Sequence, residues 1–214
     1  MFDVLLAALA GIGASCAVPP NLAPAAVVPQ ETRRILPIRK YVLAWYWWPE
    51  NCQRYPGVGC DAGFGFKVHG LWPDGAGRSY PQFCRAPTAI SRATLRANWC
   101  MTPSAGLLQH EWAKHGTCGW PSADAYFADA RRIAARIDLP DLSDLPNGAT
   151  AGDVRRAIRA RNPQLPAGSI FVGTQRKQWL TEVRICLDLR YRAVTCERGA
   201  TGAPDRVPVR VRRT

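Results

Sequence analysis

The sequence predicts an α+β fold: a central antiparallel β-sheet with several packed helices, in one disulfide-stapled domain. Three observations predict it. The chain has 214 residues and 47% hydrophobic content, which suits one domain with a real core. Strand-like and helix-like segments follow one another without the strict alternation of a doubly wound parallel sheet. Eight cysteines are present, none in a CxxC pair. They form a disulfide framework rather than a zinc ribbon or a thioredoxin-type site, and so need an oxidising compartment.

The elements follow in order. Val4 to Ile12 is a short apolar run ending in small residues, Gly13-Ala14-Ser15-Cys16-Ala17. Residues 1–17 therefore read as a signal peptide, too short to span a bilayer, although its leading MFD carries an acid and no base. Cys16 leaves with this segment or remains as a spare thiol. Gly13 stands where a lipobox has a large aliphatic residue. Seven cysteines remain downstream, so one of them is expected to be unpaired. Residues 18–37 are Pro- and Ala-rich and read as a flexible lead-in outside the core.

The folded domain spans 38–200. It opens with Tyr41 to Trp48, an aromatic and β-branched run stopped by Pro49 and read as a buried strand. Cys52 to Gly65 reads as a Gly-rich loop. Phe66 to His69 alternates apolar and polar and reads as a short strand delivering His69 at its end. Thr88 to Trp99, Ser104 to His115, Ala123 to Ile137 and Thr150 to Arg161 fit the helical period. The last carries Thr150 and Asp153 in a capping-box arrangement. Gln178 to Leu189 and Arg192 to Cys196 read as an antiparallel pair joined by a turn. Residues 201–214 form a basic, loop-like tail. No segment is long and apolar enough to span a membrane.

Lys and Arg number 28 against 16 Asp and Glu, a formal charge of +12. That excess favours a polyanionic partner, nucleic acid or an anionic membrane surface. Seven arginines on two of the helices (Arg131, Arg132 and Arg136; Arg155, Arg156, Arg159 and Arg161) either track phosphates or form solvated faces.

The chain has three histidines, His69, His110 and His115, all in two short segments, HGLWPD and HEWAKHGTC. On a helix turning about 100° per residue, with His110 at zero, Lys114 lies at about 40°, Glu111 at about 100° and His115 at about 140°. All four share one face, and Trp112 points the other way as a core anchor. A solvated face with i,i+4 pairs is one bland reading, but His110 beside Lys114 sets base against base. A metal site is another. The histidines stand at i and i+5 rather than i and i+4, which suits chelation poorly, so no metal is assigned. The third is a Cys118–His115 nucleophile, and an oxidising compartment favours Cys118 in a bridge. Metal-free cleavage of RNA does want this set. It needs a base for the 2′-hydroxyl proton, an acid for the departing 5′-oxygen and cations around the phosphorane.

HGLWPD and HEWAKHGTC resemble the two active-site segments of the ribonuclease T2 family, the transferase-type acid ribonucleases. YVLAWYWWPENC is similar to that family's first core strand, and SYPQFC (Ser79 to Cys84) continues the first segment. The resemblance implies endonucleolytic cleavage of single-stranded RNA through a 2′,3′-cyclic phosphate, with no cofactor. By the same token His115 is the general base and His69 the general acid. His110 holds the scissile phosphate, and Glu111 and Lys114 stabilise the pentavalent state. Trp72, Asp74 and Tyr80 form the base pocket, although Trp72 and Tyr80 also suit packed core positions. The resemblance further implies a Cys84–Cys118 disulfide, with Cys186–Cys196 beside it. Among Cys52, Cys60 and Cys100 one pair is expected, with Cys52 and Cys60 the nearest in sequence, and the sequence leaves the choice open. The expected protein is a periplasmic or secreted monomer that does not cleave DNA. A secreted RNA-binding or signalling protein with the same fold and little turnover is the alternative.

Overall fold

A computed structural model describes residues 16–27, 32–77, 79–176, 178–197 and 199–214. β1 (Lys40–Trp47) alternates as a two-sided strand must. Leu43, Trp45 and Trp47 are buried on one face, and Val42, Ala44 and Tyr46 occupy the other. The strand ends at Trp47 because Trp48 already belongs to a helix, α1 (Trp48–Arg54), with Pro49 in its first turn. A proline there sacrifices no helical hydrogen bond. Part of the segment read as loop from Cys52 is thus helical.

β2 (Phe66–Asp74) is longer than the expected Phe66 to His69, so His69 sits inside a strand, not at its end. Gly70 and Pro73 look like breakers in sequence. The sheet order, β2-β1-β4-β3, makes β2 an edge strand, where a proline is tolerated. β3 (Ile170–Gln175), interrupted by Gly173, was not anticipated. It pairs with β4 (Trp179–Leu187), which also pairs with β1. All pairings are antiparallel. Arg192 to Cys196 is not a strand. Its backbone pairs with β4 at one isolated bridge, Leu187 with Ala193. The Asp188 carboxylate takes the amides of Arg190 and Arg192, and Tyr191 adopts φ 58°, so local turn chemistry wins over pairing.

α2 (Arg92–Asn98) starts at a Ser91 cap rather than at Thr88. α5 (Ala123–Ala134) and α6 (Ala151–Arg161) follow the expected helices, and the Thr150–Asp153 capping box is present. One buried cluster joins the Leu43, Trp45, Leu71, Val183 and Ile185 face of the sheet to Tyr126, Phe127 and Ile133 of α5 and to Val154 and Ile158 of α6. The opposite face of the sheet stays open for the site.

The N-terminal flank corrects the sequence reading. Leu22 is buried in the core, and Arg34 pairs its backbone with Gln82, so residues 18–37 are anchored where they are described. Cys16 is bonded to Cys100, not spare, and the remaining bridges are Cys52–Cys60, Cys84–Cys118 and Cys186–Cys196. No cysteine is left unpaired. A boundary after Ala17 would discard half of the Cys16–Cys100 link. The apolar run of the expected signal peptide lies outside the described residues. The basic tail is irregular but docked: Val209 is buried, its N–H donates to Ala149 at 2.7 Å, and Arg212 pairs with buried Glu50 at 3.0 Å. Among the described residues no helix is long and apolar enough to cross a membrane.

Candidate active site

Two backbone irregularities build the site. The first is in β2. Gly70 faces Ala44 and Val68 faces Trp45 across the β1 ladder, so His69 is the extra residue of a β-bulge. Strict alternation from buried Leu71 would send position 69 into the core. The bulge turns it outward instead, the use to which bulges near active sites are commonly put. The loop after α2 takes up the polar groups beside the bulge: Val68 N–H donates to Met101 and Val68 C=O accepts from the Thr102 hydroxyl at 2.6 Å. His69 then lies flat on Tyr46 of β1, ring centroids 3.8 Å apart.

The second irregularity is in the helix that carries His110, Glu111, Lys114 and His115. α3 (Ala105–Glu111), capped by Ser104, widens into a π turn (Trp112–Gly116) before the short α4 (Thr117–Gly119). Thr117 N–H reaches back to the carbonyl of Trp112. Carbonyls of this wide turn accept from groups other than helix amides. The Thr117 hydroxyl takes that of Ala113 at 2.9 Å, and the Phe83 amide takes that of Lys114 at 2.8 Å. Phe83 adopts φ 49°, a conformation costly for a residue with a side chain. The 100° wheel therefore fails past Glu111. A π turn brings residues five apart towards alignment, so the expected splay of His110 from His115 is corrected. Trp112 is buried as the anchor, beside Tyr126. The Cys84–Cys118 disulfide ties the end of this helix to the loop bearing Tyr80 and Phe83.

Glu111 joins the two halves. It is 2% exposed; Oε2 accepts from Trp72 Nε1–H at 2.7 Å and Oε1 lies 3.4 Å from His69 Nε2. Its carboxylate presses so closely on β2 that a Cβ at Gly70 would sit 1.9 Å from Oε2, so the glycine of HGLW is a steric requirement. Burial pushes the Glu111 carboxyl up, but His69 beside it, with His115 and His110, holds it at about 2. The imidazoles of His69 and His115 diverge. Burial pulls His69 down, yet Glu111 and Glu182 together carry it above the usual histidine value. Burial lowers His115 as well, and Glu111 opposes this only in part against Lys114 and the other histidines, leaving it at about 3. His115 Nδ1 is buried without a hydrogen-bond partner among the described residues.

All eight residues singled out for catalysis and base binding line one cavity of about 300 Å3: His69, Trp72, Asp74, Tyr80, His110, Glu111, Lys114 and His115, with Val42, Pro73 and Arg184. Trp72 is half-buried in its wall and nearly parallel to His115. Asp74 pairs with Lys40 at 3.6 Å; burial raises its carboxyl in spite of that lysine. Larger depressions of about 620 and 640 Å3 lie elsewhere and contain none of the eight. None of the seven arginines read onto the two expected helices lines the cavity. Arg155 instead donates to the carbonyls of Ile170, Thr201 and Ala203 and pairs with Asp205. Sequence reasoning missed Arg184, whose guanidinium lies over Trp72 and Phe171, and Glu182, which touches His69. Their one signal was a charged pair at i and i+2 on an apolar strand. Among the described residues no group of three His, Cys, Asp or Glu side chains is arranged to hold a metal ion.

Residues 38–196 match the model of the Ribonuclease T2 family. A ribonuclease of Aeromonas hydrophila is 31% identical over 168 residues, covering 73% of this chain and 75% of that protein. A probable ribonuclease of Haemophilus influenzae is 28% identical over 179 residues, or 75% of this chain. That stretch spans only 62% of the Haemophilus protein's own length. Among solved structures, an RNase-related protein from Calystegia sepium aligns with a TM-score of 0.63 at 20% identity, over 80% of this chain and 97% of that one. RNase NT in complex with 5′-AMP aligns at 0.61 and 21% identity, over 80% and 98%. These two show the fold.

Proposed function

The chain belongs to the ribonuclease T2 family of RNA endonucleases, and from that premise we propose that it cleaves single-stranded RNA by metal-independent transesterification. One observation carries the reading: His69 and His115 face the same cavity with opposite protonation preferences. His115, kept neutral, takes the proton of the 2′-hydroxyl. The 2′-oxygen attacks phosphorus, the bond from phosphorus to the 5′-oxygen breaks, and His69 gives its proton to that oxygen. A 2′,3′-cyclic phosphate and a free 5′-hydroxyl result. DNA lacks the nucleophile and is left intact.

Lys114 and His110, in the same wall, supply positive charge where the phosphorane develops. Glu111 is an anion against His69 and Trp72, so it serves the imidazolium of His69 rather than the phosphorane itself. Trp72 and Tyr80 offer stacking surfaces, worth about 1–3 kcal/mol per base, and Asp74 an acceptor for an exocyclic amine. Four disulfides support a periplasmic or secreted site of action, and the protein acts as a monomer.

The test is digestion of RNA homopolymers at several pH values, with and without EDTA, followed by end-group analysis. Cyclic-phosphate ends formed at equal rates in chelator, and intact DNA, are expected. Activity lost in EDTA, or retained in full by His69→Ala and His115→Ala, overturns the reading.

A further inference from the structure

We infer that Glu182 of β4 is a positioning residue for His69, gripping its Nδ1 so that Nε2 is presented to the scissile bond. The inference rests on the reading of His69 as proton donor.

The sheet register creates this contact. Tyr46 of β1, Glu182 of β4 and Gly173 of β3 lie opposite one another on neighbouring strands, so the Tyr46 and Glu182 side chains share one face. The β2 bulge brings His69 onto that face above Tyr46. Glu182 needs Gly173 to fit, because a Cβ there would lie 2.8 Å from Glu182 Cγ. Its two oxygens have separate duties. Oε1 accepts from Arg184, Nε at 3.0 Å and Nη2 as well. Oε2 is left for His69 Nδ1 at 3.4 Å. A carboxylate present only to neutralise Arg184 would have no reason to turn its second oxygen to the imidazole.

The other ring nitrogen, Nε2, faces Glu111 Oε1 at 3.4 Å. A neutral imidazole carries one N–H, and only the imidazolium donates on both sides. The two carboxylates therefore select the protonated ring, and the Glu182 contact keeps the proton on Nδ1 while Nε2 gives its own up. Arg184 is itself held over Trp72 and Phe171, so the strand, the arginine and the base platform brace one another. The charged and titratable groups that touch His69 or share its cavity are Glu182 and Arg184 from β4, Tyr46 from β1, Asp74 from β2, Tyr80 from the loop after it, and Glu111, His110, Lys114 and His115 from the helix and its π turn.

Glu182→Gln keeps an oxygen for Nδ1–H but removes the charge, so His69 should lose its proton at lower pH. NMR titration of the imidazoles reads this directly, since the chain has three histidines, and it does not depend on activity. We expect the His69 midpoint to fall. The alkaline limb of the rate profile should move to lower pH, with activity there down about tenfold and activity on the acid side within about twofold. Glu182→Asp, which keeps the charge on a shorter arm, should restore most of the limb. A His69 midpoint unmoved in Glu182→Gln, a loss equal at every pH, or an aspartate variant as displaced as the glutamine one overturns the inference. Full activity of His69→Ala would instead overturn the donor assignment, a separate outcome.

Discussion

His69 and His115 lie in the wall of one cavity, yet the two segments hold their imidazoles by different physics. The strand exposes His69 to carboxylates on both ring nitrogens, from Glu111 and Glu182, and the charges outweigh burial. The helix buries His115 with only one carboxylate near and cations around it, so burial prevails. Two identical side chains thus acquire opposite proton affinities from where the neighbouring charges are fixed. Each segment reached its arrangement by one inserted residue, a bulge in the strand and a π turn in the helix.

The sharpest way to break the comparison is to remove each ring in turn. His69→Ala and His115→Ala should each lower kcat by about 10²–10⁴-fold with a cooperative melt retained; a variant that keeps full rate removes its histidine from the chemistry. Next in size, Gly70→Ala should lower kcat by at least about tenfold, because its methyl displaces Glu111 from His69 and Trp72, at a stability cost of about 1–3 kcal/mol. Rate and melting curves on one preparation separate the two effects, and an unchanged kcat would show that Glu111 need not touch β2.

Removing the link between helix and loop, by Cys84→Ala with Cys118→Ala, should cost about 2–4 kcal/mol in denaturant unfolding. The pH dependence of stability sharpens the contrast further. His115 has a depressed folded pKa, so the unfolded chain binds the extra proton first. Its contribution is complete above the ordinary histidine value and is lost as pH falls towards about 3. His69 behaves oppositely: its contribution is complete below the ordinary value and is lost as pH rises through its raised one. Between pH 6 and pH 4 the His115→Gln variant should lose about 2 kcal/mol less stability than the parent. Equal slopes would deny that His115 is held neutral. The smallest effect belongs to the exposed helix arginines. Arg132→Ala and Arg156→Ala break surface pairs with Asp129 and Asp153 and should change stability by less than about 1 kcal/mol, with kcat/KM unaltered; a marked rise in KM would restore them as phosphate contacts.

Much of the fold was legible, and the misses have specific causes. β1, α5 and α6 follow from alternation, periodicity and the Thr150 cap, all local properties. β2 was cut short because Gly70 and Pro73 look like breakers, and only edge placement makes that proline harmless. β3 was missed because Gly173 interrupts it, and the reason for that glycine is Glu182 on another strand. Cys16 looked expendable because its partner, Cys100, lies 84 residues away.

By itself the sequence determined the residue inventory: three histidines, a glutamate and a lysine in two motifs, an aromatic core strand and a cysteine framework. Residue type and short spacing suffice for these, since each is a property of neighbours along the chain. Only the tertiary structure decided which way the histidines point and which one is held charged. A one-residue bulge and a π turn reverse what strict periods of strand and helix imply, and they persist because Met101, Thr102, Thr117 and Phe83 take up the backbone groups beside them. The proton preference depends on carboxylates and burial supplied by elements far apart in sequence, and a local pattern does not encode those distances.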